Sequence, residues 1–186
     1  KDPVNHPVSL YAATKKSNEL MAHCYSHLFK IPTIGLRFFT VYGPWGRPDM
    51  APMIFAKSIF SKKPLKIFNY GEMERDFTYI DDVIEILVNL ISKPASENKK
   101  FDRNFPESSS SWAPYRIFNV GNSKKVKLMD FIEILENQIG IEAIKEFEPM
   151  QLGDVKSTSA ETTSIQKYTN IKPNTNIEKG IKEFVS

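Results

Sequence analysis

Apolar residues recur every three or four positions over residues 10–28, the spacing that places them on one face of an α-helix. Ser9 can cap the first turn and Pro32 stops the pattern, so we predict a helix from Ser9 to about Phe29. Residues 33–40 are nearly continuously apolar, as is typical of a parallel strand covered on both faces. A helix followed closely by such a strand is half of a βαβ unit.

The rest of the chain alternates shorter helices and strands. The same pattern predicts helices over 53–60, 83–91, 128–138, 162–168 and 176–185, and strands over 65–68, 77–80, 116–120 and 144–147. The helix over 83–91 is apolar on most sides, which predicts that it is buried. Residues 92–114 contain three prolines and four consecutive serines and are predicted to form a partly disordered surface loop. The alternation of helices and strands indicates an α/β fold.

Composition narrows the class of protein. Of the 186 residues, 41% are apolar and 25% charged, which is typical of soluble globular proteins. No apolar run approaches the ~20 residues that span a bilayer. The net charge of +3 suits an anionic small molecule but is too weak to indicate nucleic-acid binding. Cys24 is the only cysteine, so no internal disulfide can form, and a cytoplasmic location is expected.

The two ends predict that the sequence is a piece of a longer protein. Residue 1 is Lys rather than Met, and a strong helix follows after only a short loop. The apolar pattern over residues 181–186 stops without a C-cap glycine.

The sharpest chemical signal is the pair Tyr11 and Lys15. A spacing of four places a phenol and an ammonium on the same helix face, one turn apart. A free tyrosine has a pKa near ~10 and is a poor base at neutral pH, but a nearby cation favours the phenolate. The pair is therefore a candidate general base, and the alternative is a solvated helix face with an incidental Tyr and Lys.

Two further clusters accompany predicted strands. Residues 36–44, with the sequence LRFFTVYGP, put their last side chains at the carboxyl edge of a parallel sheet, where ligands of open α/β sheets bind. Residues 75–82, with the sequence RDFTYIDD, begin with Arg75, which can clamp a diphosphate bidentately. The alternative for Arg75 is a surface ion pair with Glu74 or Asp76.

Other polar residues are predicted to have structural roles. Asp81 and Asp82 stand where a helix start favours carboxylates. His23 and His27 are four residues apart on a helix, but no carboxylate follows them in a zinc-binding pattern. No metal site is therefore predicted.

In this order, the Tyr-x-x-x-Lys helix, the strand with its Gly-Pro turn and the Arg-Asp strand resemble the extended short-chain dehydrogenase/reductase family, in its nucleotide-sugar epimerase and dehydratase branch. Residues 40–51 (TVYGPWGRPDMA), 68–71 (FNYG) and 150–155 (MQLGDV) resemble the UDP-glucuronate 4-epimerase subgroup, with Leu152 where that subgroup has proline. The resemblance implies NAD as cofactor, a UDP-sugar as substrate, and interconversion of UDP-glucuronate and UDP-galacturonate by transient oxidation at C4.

The resemblance also implies roles for single residues. Tyr11 would be the general base and acid at the C4 hydroxyl, and Lys15 would bond the nicotinamide ribose and stabilise the phenolate, so that both contact the cofactor. Phe38 and Phe39 would line the nicotinamide end of the site. The implied substrate-binding residues would hold the uronate carboxylate (Thr40 and Arg47), border the uracil (Leu65, Ile67 and Phe68), grip the diphosphate (Arg75) or lie near the uridine ribose and phosphates (Gln151 and Asp154).

The resemblance implies two domains. Residues 1–48 would be the tail of a dinucleotide-binding domain, the C-terminal part of a Rossmann-type parallel sheet. Residues 49–186 would form mainly a smaller α/β substrate-binding domain for the UDP-sugar, with 76–94 and 115–122 packing back on the Rossmann part. The helix over 9–29 resembles the family's dimer-bundle helix, which implies a homodimer.

The sequence departs from the family at its start. It has neither the Gly-x-x-Gly-x-x-Gly turn that seats the pyrophosphate nor the catalytic Ser or Thr upstream of the tyrosine, so this chain alone is predicted not to bind NAD tightly or to turn over. The alternatives are another UDP-sugar epimerase, dehydratase or decarboxylase of the family, or a non-catalytic oligomerisation or UDP-binding module. No nucleic acid and no membrane are expected as partners, and polysaccharide biosynthesis is the expected process.

Overall fold

The computed structural model describes residues 3–186. Its helices are α1 (Leu10–Phe29), α2 (Ala51–Phe60), α3 (Ile80–Ile91), α4 (Leu128–Ile139), α5 (Thr163–Thr169) and α6 (Ile177–Val185), with a short 3₁₀ turn at Phe68–Gly71. Its strands are β1 (Thr33–Phe38), β2 (Thr40–Tyr42), β3 (Pro64–Ile67), β4 (Glu74–Tyr79), β5 (Tyr115–Val120), β6 (Lys125–Lys127) and β7 (Ile144–Phe147). Each predicted element is present, and β6 is a short strand that the sequence pattern does not predict.

In the described part of the chain, the strands form three small sheets. β1 pairs with β5 in parallel, and β3 pairs with β7 in parallel. β4 lies between β2, which runs parallel to it, and β6, which runs antiparallel. The single strand predicted over 33–40 is therefore two strands, because the chain changes its pairing partner at Phe39. The mixture of helices with parallel sheets confirms the predicted α/β class.

The chain forms two compact units. The first contains the described residues up to Phe38, together with Ile86–Val120 and Glu161–Ile171. The second contains Phe39–Glu85, Gly121–Ala160 and Lys172–Ser186. These units are defined by packing alone, and the functional assignment of residues 1–48 and 49–186 stays a prediction.

Helix α1 begins and ends where the sequence predicts. The Ser9 side chain accepts a hydrogen bond from the Ala12 backbone nitrogen at 3.2 Å, and Lys30, in the left-handed region, ends the helix. Of its 20 residues only Ser26 is buried, so most of this long helix faces solvent within the first unit. No helix of residues 3–186 is both long and apolar enough to cross a membrane.

The segment 92–114 forms the predicted surface loop, and its last residues pack against α1. Trp112 Nε1 donates to His27 Nδ1 at 3.1 Å, and the Ser111 hydroxyl lies 2.9 Å from His23 Nε2. Burial and the neighbouring His27 lower the pKa of His23. The end of the segment is more buried than its serines predict, because polar serines can be buried once partners satisfy their hydrogen bonds, as Ser110 and Ser111 are here.

Helix α3 is less buried than its composition predicts. Its buried apolar side chains follow one face (Val83, Ile86 and Leu90), while other apolar side chains are exposed (Ile84, Val88 and Ile91). The prediction that this helix is buried is therefore correct for one face only, because apolar composition does not tell which faces meet a packing partner. Asp81 and Asp82 lie in its first turn, as predicted.

The core of the second unit is built around aromatic rings. Phe77 and Phe131 stack with their centroids 4.3 Å apart, and Tyr42 meets Phe131 edge-on. Helix α6 passes so close that a Cβ at Gly180 would lie 2.0 Å from the Tyr42 hydroxyl oxygen, so only glycine fits there. This packing holds β2 and β4 in place beside the cavity described below.

Candidate active site

Tyr11 and Lys15 lie next to each other on one face of α1, as their spacing predicts. Lys15 Nζ lies 5.3 Å from the centroid of the Tyr11 ring. Both side chains are exposed, Tyr11 to 72%. A phenol beside an ammonium, both open to solvent, can together contact the hydroxyl groups of a ligand.

Glu19, one turn beyond Lys15, is a carboxylate fixed between α1 and β1. Its Oε1 accepts a hydrogen bond from Arg37 Nε at 2.6 Å, and its Oε2 accepts bonds from Arg37 Nη2 at 2.9 Å and Lys16 Nζ at 3.1 Å. Burial acts to raise the pKa of Glu19, but the hydrogen bonds from Arg37 and Lys16 outweigh it and hold this pKa below its usual value. The ion pair fastens the helix that carries Tyr11 and Lys15 to the strand beneath it.

Tyr115 makes the first unit sensitive to alkaline pH. Burial, together with the Glu19 carboxylate and against the opposite effect of Arg37, raises the pKa of Tyr115 to about 12. Its hydroxyl donates to the Glu19 backbone oxygen at 3.0 Å. Because this pKa is above the unfolded value of ~10, the stabilisation is complete below about pH 10 and is lost as the pH rises through about 12. We expect the free energy of unfolding to fall by about 2–3 kcal/mol over this range.

Urea unfolding at a series of pH values measures this loss. Tyr115→Phe should remove the part due to Tyr115 and leave that of Tyr42 and Tyr79, since burial raises the pKa of both. Tyr25→Phe, at an exposed tyrosine of α1, is the matched control and should leave the decline unchanged. Equal declines in Tyr115→Phe and in the parent chain would contradict the prediction.

The second unit contains a cavity of about 600 Å³. This volume lies within the range of ~300–1,000 Å³ that is common for small-molecule sites. Five of the eight predicted substrate-binding residues line it, although they come from β2, from β4 and from segments that follow β3 and β7 (Thr40, Phe68, Arg75, Gln151 and Asp154). The fold thus brings residues from four distant segments to one cavity.

Arg75 holds its guanidinium at the cavity wall. Its Nη2 donates to Asp154 Oδ1 at 2.8 Å, and its Nη1 donates to the backbone oxygens of Glu74 at 3.0 Å and Lys156 at 3.3 Å. The ion-pair partner is Asp154 rather than the carboxylate of Glu74 or Asp76. Because the Arg75 side chain is only 17% exposed, it is a preorganised cation for which an anionic ligand would compete with Asp154.

Alternation along β3 decides which of its side chains reach the cavity. Leu65 and Ile67 are almost fully buried in the core, whereas Pro64, Lys66 and then Phe68 line the cavity. Successive side chains of a strand point to opposite faces. The structure therefore does not bring Leu65 and Ile67 to the cavity, and it adds Lys66. Sequence reasoning missed Lys66, although a cation between two apolar residues of a strand is itself a signal of alternation.

Thr40 lines the cavity, whereas Arg47 is not among its lining residues. Arg47 donates from Nε to Asp49 Oδ1 at 3.1 Å and from Nη2 to Asp49 Oδ2 at 2.5 Å, and both side chains are exposed. These hydrogen bonds from Arg47 hold the pKa of Asp49 below its usual value. Asp49 itself lines the cavity, so the partner of Arg47 in this structure is a cavity residue.

Phe38 and Phe39 fall on either side of the boundary between the two units. Phe38 ends β1 and is exposed, and Phe39 is half-buried and opens the second unit. Tyr11 and Lys15 belong with Phe38 to the first unit, and the cavity belongs to the second. Within residues 3–186, no group of three or more His, Cys, Asp or Glu side chains is arranged to hold a metal ion.

Comparison with known proteins identifies the family. Residues 1–121 match the model of the NAD dependent epimerase/dehydratase family. The chain belongs to this family. The resemblance seen in the Tyr-x-x-x-Lys helix and the two strand motifs is thereby confirmed.

Two named relatives show which proteins of the family this chain is similar to. The chain is 52% identical to Protein CapI of Staphylococcus aureus, over 99% of this chain and 55% of that protein. It is 47% identical to the probable UDP-glucuronate 4-epimerase of Rhizobium meliloti, over 99% of this chain and 54% of that protein. The chain thus spans about half the length of these relatives.

A solved structure has the same fold. The UDP-glucuronic acid 4-epimerase of Bacillus cereus, in complex with UDP-glucuronic acid and NAD, matches with a TM-score of 0.81 and 34% identity. The match covers 97% of this chain and 52% of the Bacillus protein. This member of the family therefore has a solved relative whose bound ligands include both a UDP-uronate and NAD.

Proposed function

We propose that the complete polypeptide containing this chain is an NAD-dependent epimerase that interconverts UDP-glucuronate and UDP-galacturonate by transient oxidation at C4. The observation that carries the proposal is the cavity of the second unit, which collects Thr40, Arg75 and Asp154 from distant segments. The names of the Rhizobium meliloti and Bacillus cereus relatives support UDP-glucuronate as the sugar nucleotide.

Tyr11 would transfer the proton of the C4 hydroxyl, and Lys15 would assist it. NAD, when bound, supplies the hydride acceptor and donor for C4. The Tyr11 phenolate would take the proton of the C4 hydroxyl and later return it. Lys15 Nζ, 5.3 Å from the Tyr11 ring centroid, can donate to a ribose hydroxyl while its charge favours the phenolate. The exposure of both side chains on one helix face fits the nicotinamide riboside end of the cofactor.

A uronate substrate has to keep its carboxylate while C4 is oxidised. A 4-keto uronate is a β-keto acid, and it loses CO2 when the breaking C–C bond aligns with the carbonyl π system. We assign carboxylate retention to Thr40, which lines the cavity, and to Arg47, whose forked guanidinium suits a carboxylate. Because Arg47 pairs with Asp49, substrate binding would exchange one carboxylate partner for another.

Product analysis tests the proposal and its alternatives. The complete polypeptide is incubated with NAD and UDP-glucuronate, and the nucleotide sugars are separated by chromatography while CO2 is trapped. We expect UDP-galacturonate without release of CO2. Release of CO2 with a UDP-pentose would identify a decarboxylase, and faster turnover of UDP-glucose would identify a neutral-sugar epimerase. Either result, or no turnover of any of these substrates, would overturn the proposal.

Arg75 would bind the diphosphate. We expect Arg75→Gln to weaken binding of UDP to the 186-residue chain by roughly 10- to 100-fold, because a charge-assisted hydrogen bond contributes about 1.5–3 kcal/mol. Isothermal titration calorimetry measures the change. Lys125→Gln, which removes an exposed partner of Glu74 without touching the cavity, is the matched control. Equal affinities of the two variants for UDP would exclude Arg75 from this role.

We also propose that a second copy of the chain covers the outer face of α1. Apolar side chains of a surface helix usually face a partner, yet several on this helix are exposed (Leu10, Leu20, Met21, Tyr25 and Leu28). The residues 10, 21 and 28 follow one stripe along the helix, as expected for two helices that pack together. A homodimer through α1 buries this stripe.

Sedimentation velocity tests the dimer. We expect Met21→Asp/Leu28→Asp to shift the protein from dimer to monomer, because two buried carboxylates at a helix interface lack partners. Leu152→Asp replaces a fully exposed leucine of the second unit and is the control. If the chain without substitutions is a monomer at micromolar concentration, the dimer is refuted.

A cytoplasmic location and a part in polysaccharide biosynthesis stay predictions, which cell fractionation and the phenotype of a gene deletion would test.

A further inference from the structure

Tyr11, Lys15 and Glu19 form a ladder on α1, four residues apart, so each side chain lies one turn from the next. Lys15 stands between a phenol on one side and a carboxylate on the other. Opposite charges at this spacing attract each other on a helix surface. In the structure, however, Lys15 lies beside Tyr11, and Glu19 is paired with Arg37 and Lys16.

Arg37, a residue of β1, holds the Glu19 carboxylate close to this strand. It engages both oxygens, at 2.6 Å through Nε and at 2.9 Å through Nη2. The two side chains are only 23% and 17% exposed, so water screens the pair weakly. Arg37 is itself held in register by the parallel pairing of β1 with Asn119 of β5. The carboxylate is therefore fixed by the sheet and not only by its own helix.

We propose that Arg37 is a positioning residue that keeps Glu19 from capturing Lys15, and so leaves the Lys15 ammonium with Tyr11. This inference rests on the proposed function, in which Lys15 favours the Tyr11 phenolate. Without Arg37, the Glu19 carboxylate would keep Lys16 as its ion-pair partner among residues 3–186 and would become available to Lys15, one turn away. A Lys15 drawn toward Glu19 favours the phenolate less, so proton abstraction would need a higher pH.

Two variants distinguish a role of Arg37 in positioning Glu19 from a role in stabilising the fold alone. Arg37→Gln frees the Glu19 charge, whereas Arg37→Gln/Glu19→Gln removes that charge as well and keeps side chains that can hydrogen-bond. In the complete polypeptide, we expect Arg37→Gln to move the acid limb of the pH profile of kcat/KM upward by about half to one pH unit, with a loss of roughly three- to tenfold near neutral pH. The double variant should regain most of this activity. Lys30→Gln, which breaks the exposed Lys30–Glu97 pair at the end of α1, is the matched control.

A second readout does not depend on turnover. In the 186-residue chain, NMR measures the nuclear Overhauser effect between the Lys15 side chain and the Tyr11 ring, which lie 5.3 Å apart from Nζ to the ring centroid, with Tyr11→Phe used for assignment. This effect should weaken in Arg37→Gln and return in the double variant. If Arg37→Gln does not fold, Arg37→Lys, which keeps the charge but loses the fork, takes its place with a smaller loss of the effect.

The outcomes distinguish the two proposals. If the complete polypeptide shows no epimerisation but the contact between Lys15 and Tyr11 responds to the variants as expected, the proposed function fails and the positioning role of Arg37 stands. If epimerisation occurs but the single and double variants keep the same Lys15–Tyr11 contact and lose turnover alike, Arg37 only stabilises the fold. That second result overturns the inference and leaves the proposed function intact.

Discussion

Replacing Tyr11 with phenylalanine is expected to lower the turnover of UDP-glucuronate by roughly 10²- to 10⁴-fold, the usual contribution of a positioned general base. Phenylalanine keeps the ring beside Lys15 and removes only the oxygen that would carry the proton. Because Tyr11 is 72% exposed, the free energy of unfolding should change little. The measurement is kcat on the complete polypeptide with NAD and UDP-glucuronate.

The control is Tyr25→Phe, at another exposed tyrosine of α1. It should leave turnover unchanged, and both variants should bind UDP as the parent does, since the cavity in the second unit is untouched. Turnover of Tyr11→Phe within a factor of about ten of the parent would rule out Tyr11 as the acid–base group. The epimerase proposal would then need a different proton carrier.

Replacing Asp76 with alanine is expected to destabilise the second unit by about 3–5 kcal/mol. Asp76 lies on β4 with no exposed surface, and its Oδ1 accepts a hydrogen bond from the Asn122 backbone nitrogen at 2.8 Å. Its Oδ2 accepts bonds from the backbone nitrogens of Ser123 at 3.0 Å and Ala160 at 2.8 Å. Alanine would leave three donors without their acceptor, and each such donor, where water cannot reach it, costs about 1–3 kcal/mol.

Urea unfolding of the 186-residue chain measures this loss. Asp130→Ala, at an exposed carboxylate in the first turn of α4, is the control and should cost no more than about 1 kcal/mol. Asp76→Asn should fall between the two, because its amide keeps one acceptor oxygen. If Asp76→Ala unfolds at the same urea concentration as Asp130→Ala, the carboxylate does not hold the turn after β5.

The structural role of Asp76 depends on distant parts of the chain that meet at the turn after β5. A Cβ on Gly121 would lie 2.4 Å from the Ala160 Cβ and 3.0 Å from Asp76 Oδ2, so glycine is required where the segments meet. The Arg75-Asp76 motif predicts a role for its arginine and none for Asp76. The partners of Asp76 lie 46 to 84 residues away, and no local pattern predicts them.

No local pattern predicted which side chains of β3 reach the cavity either. Its apolar residues Leu65 and Ile67 were expected at the uracil, but a strand must place alternate side chains on opposite faces, and the apolar ones entered the core. Lys66, which lies between them in the strand, lines the cavity instead. Residue type predicted that β3 is a strand, and the packing of its two faces decided which side chains meet a ligand.

From the sequence alone it was possible to determine α1, its Ser9 cap and the phenol–ammonium pair of Tyr11 and Lys15, because capping and four-residue spacing act within one or two turns of backbone. The family followed from the order of three such local motifs. The tertiary structure alone decided that Arg75 faces Asp154, 79 residues away, and that Arg37 faces Glu19. Charged partners at such separations meet only where strand pairing and helix packing bring their segments together.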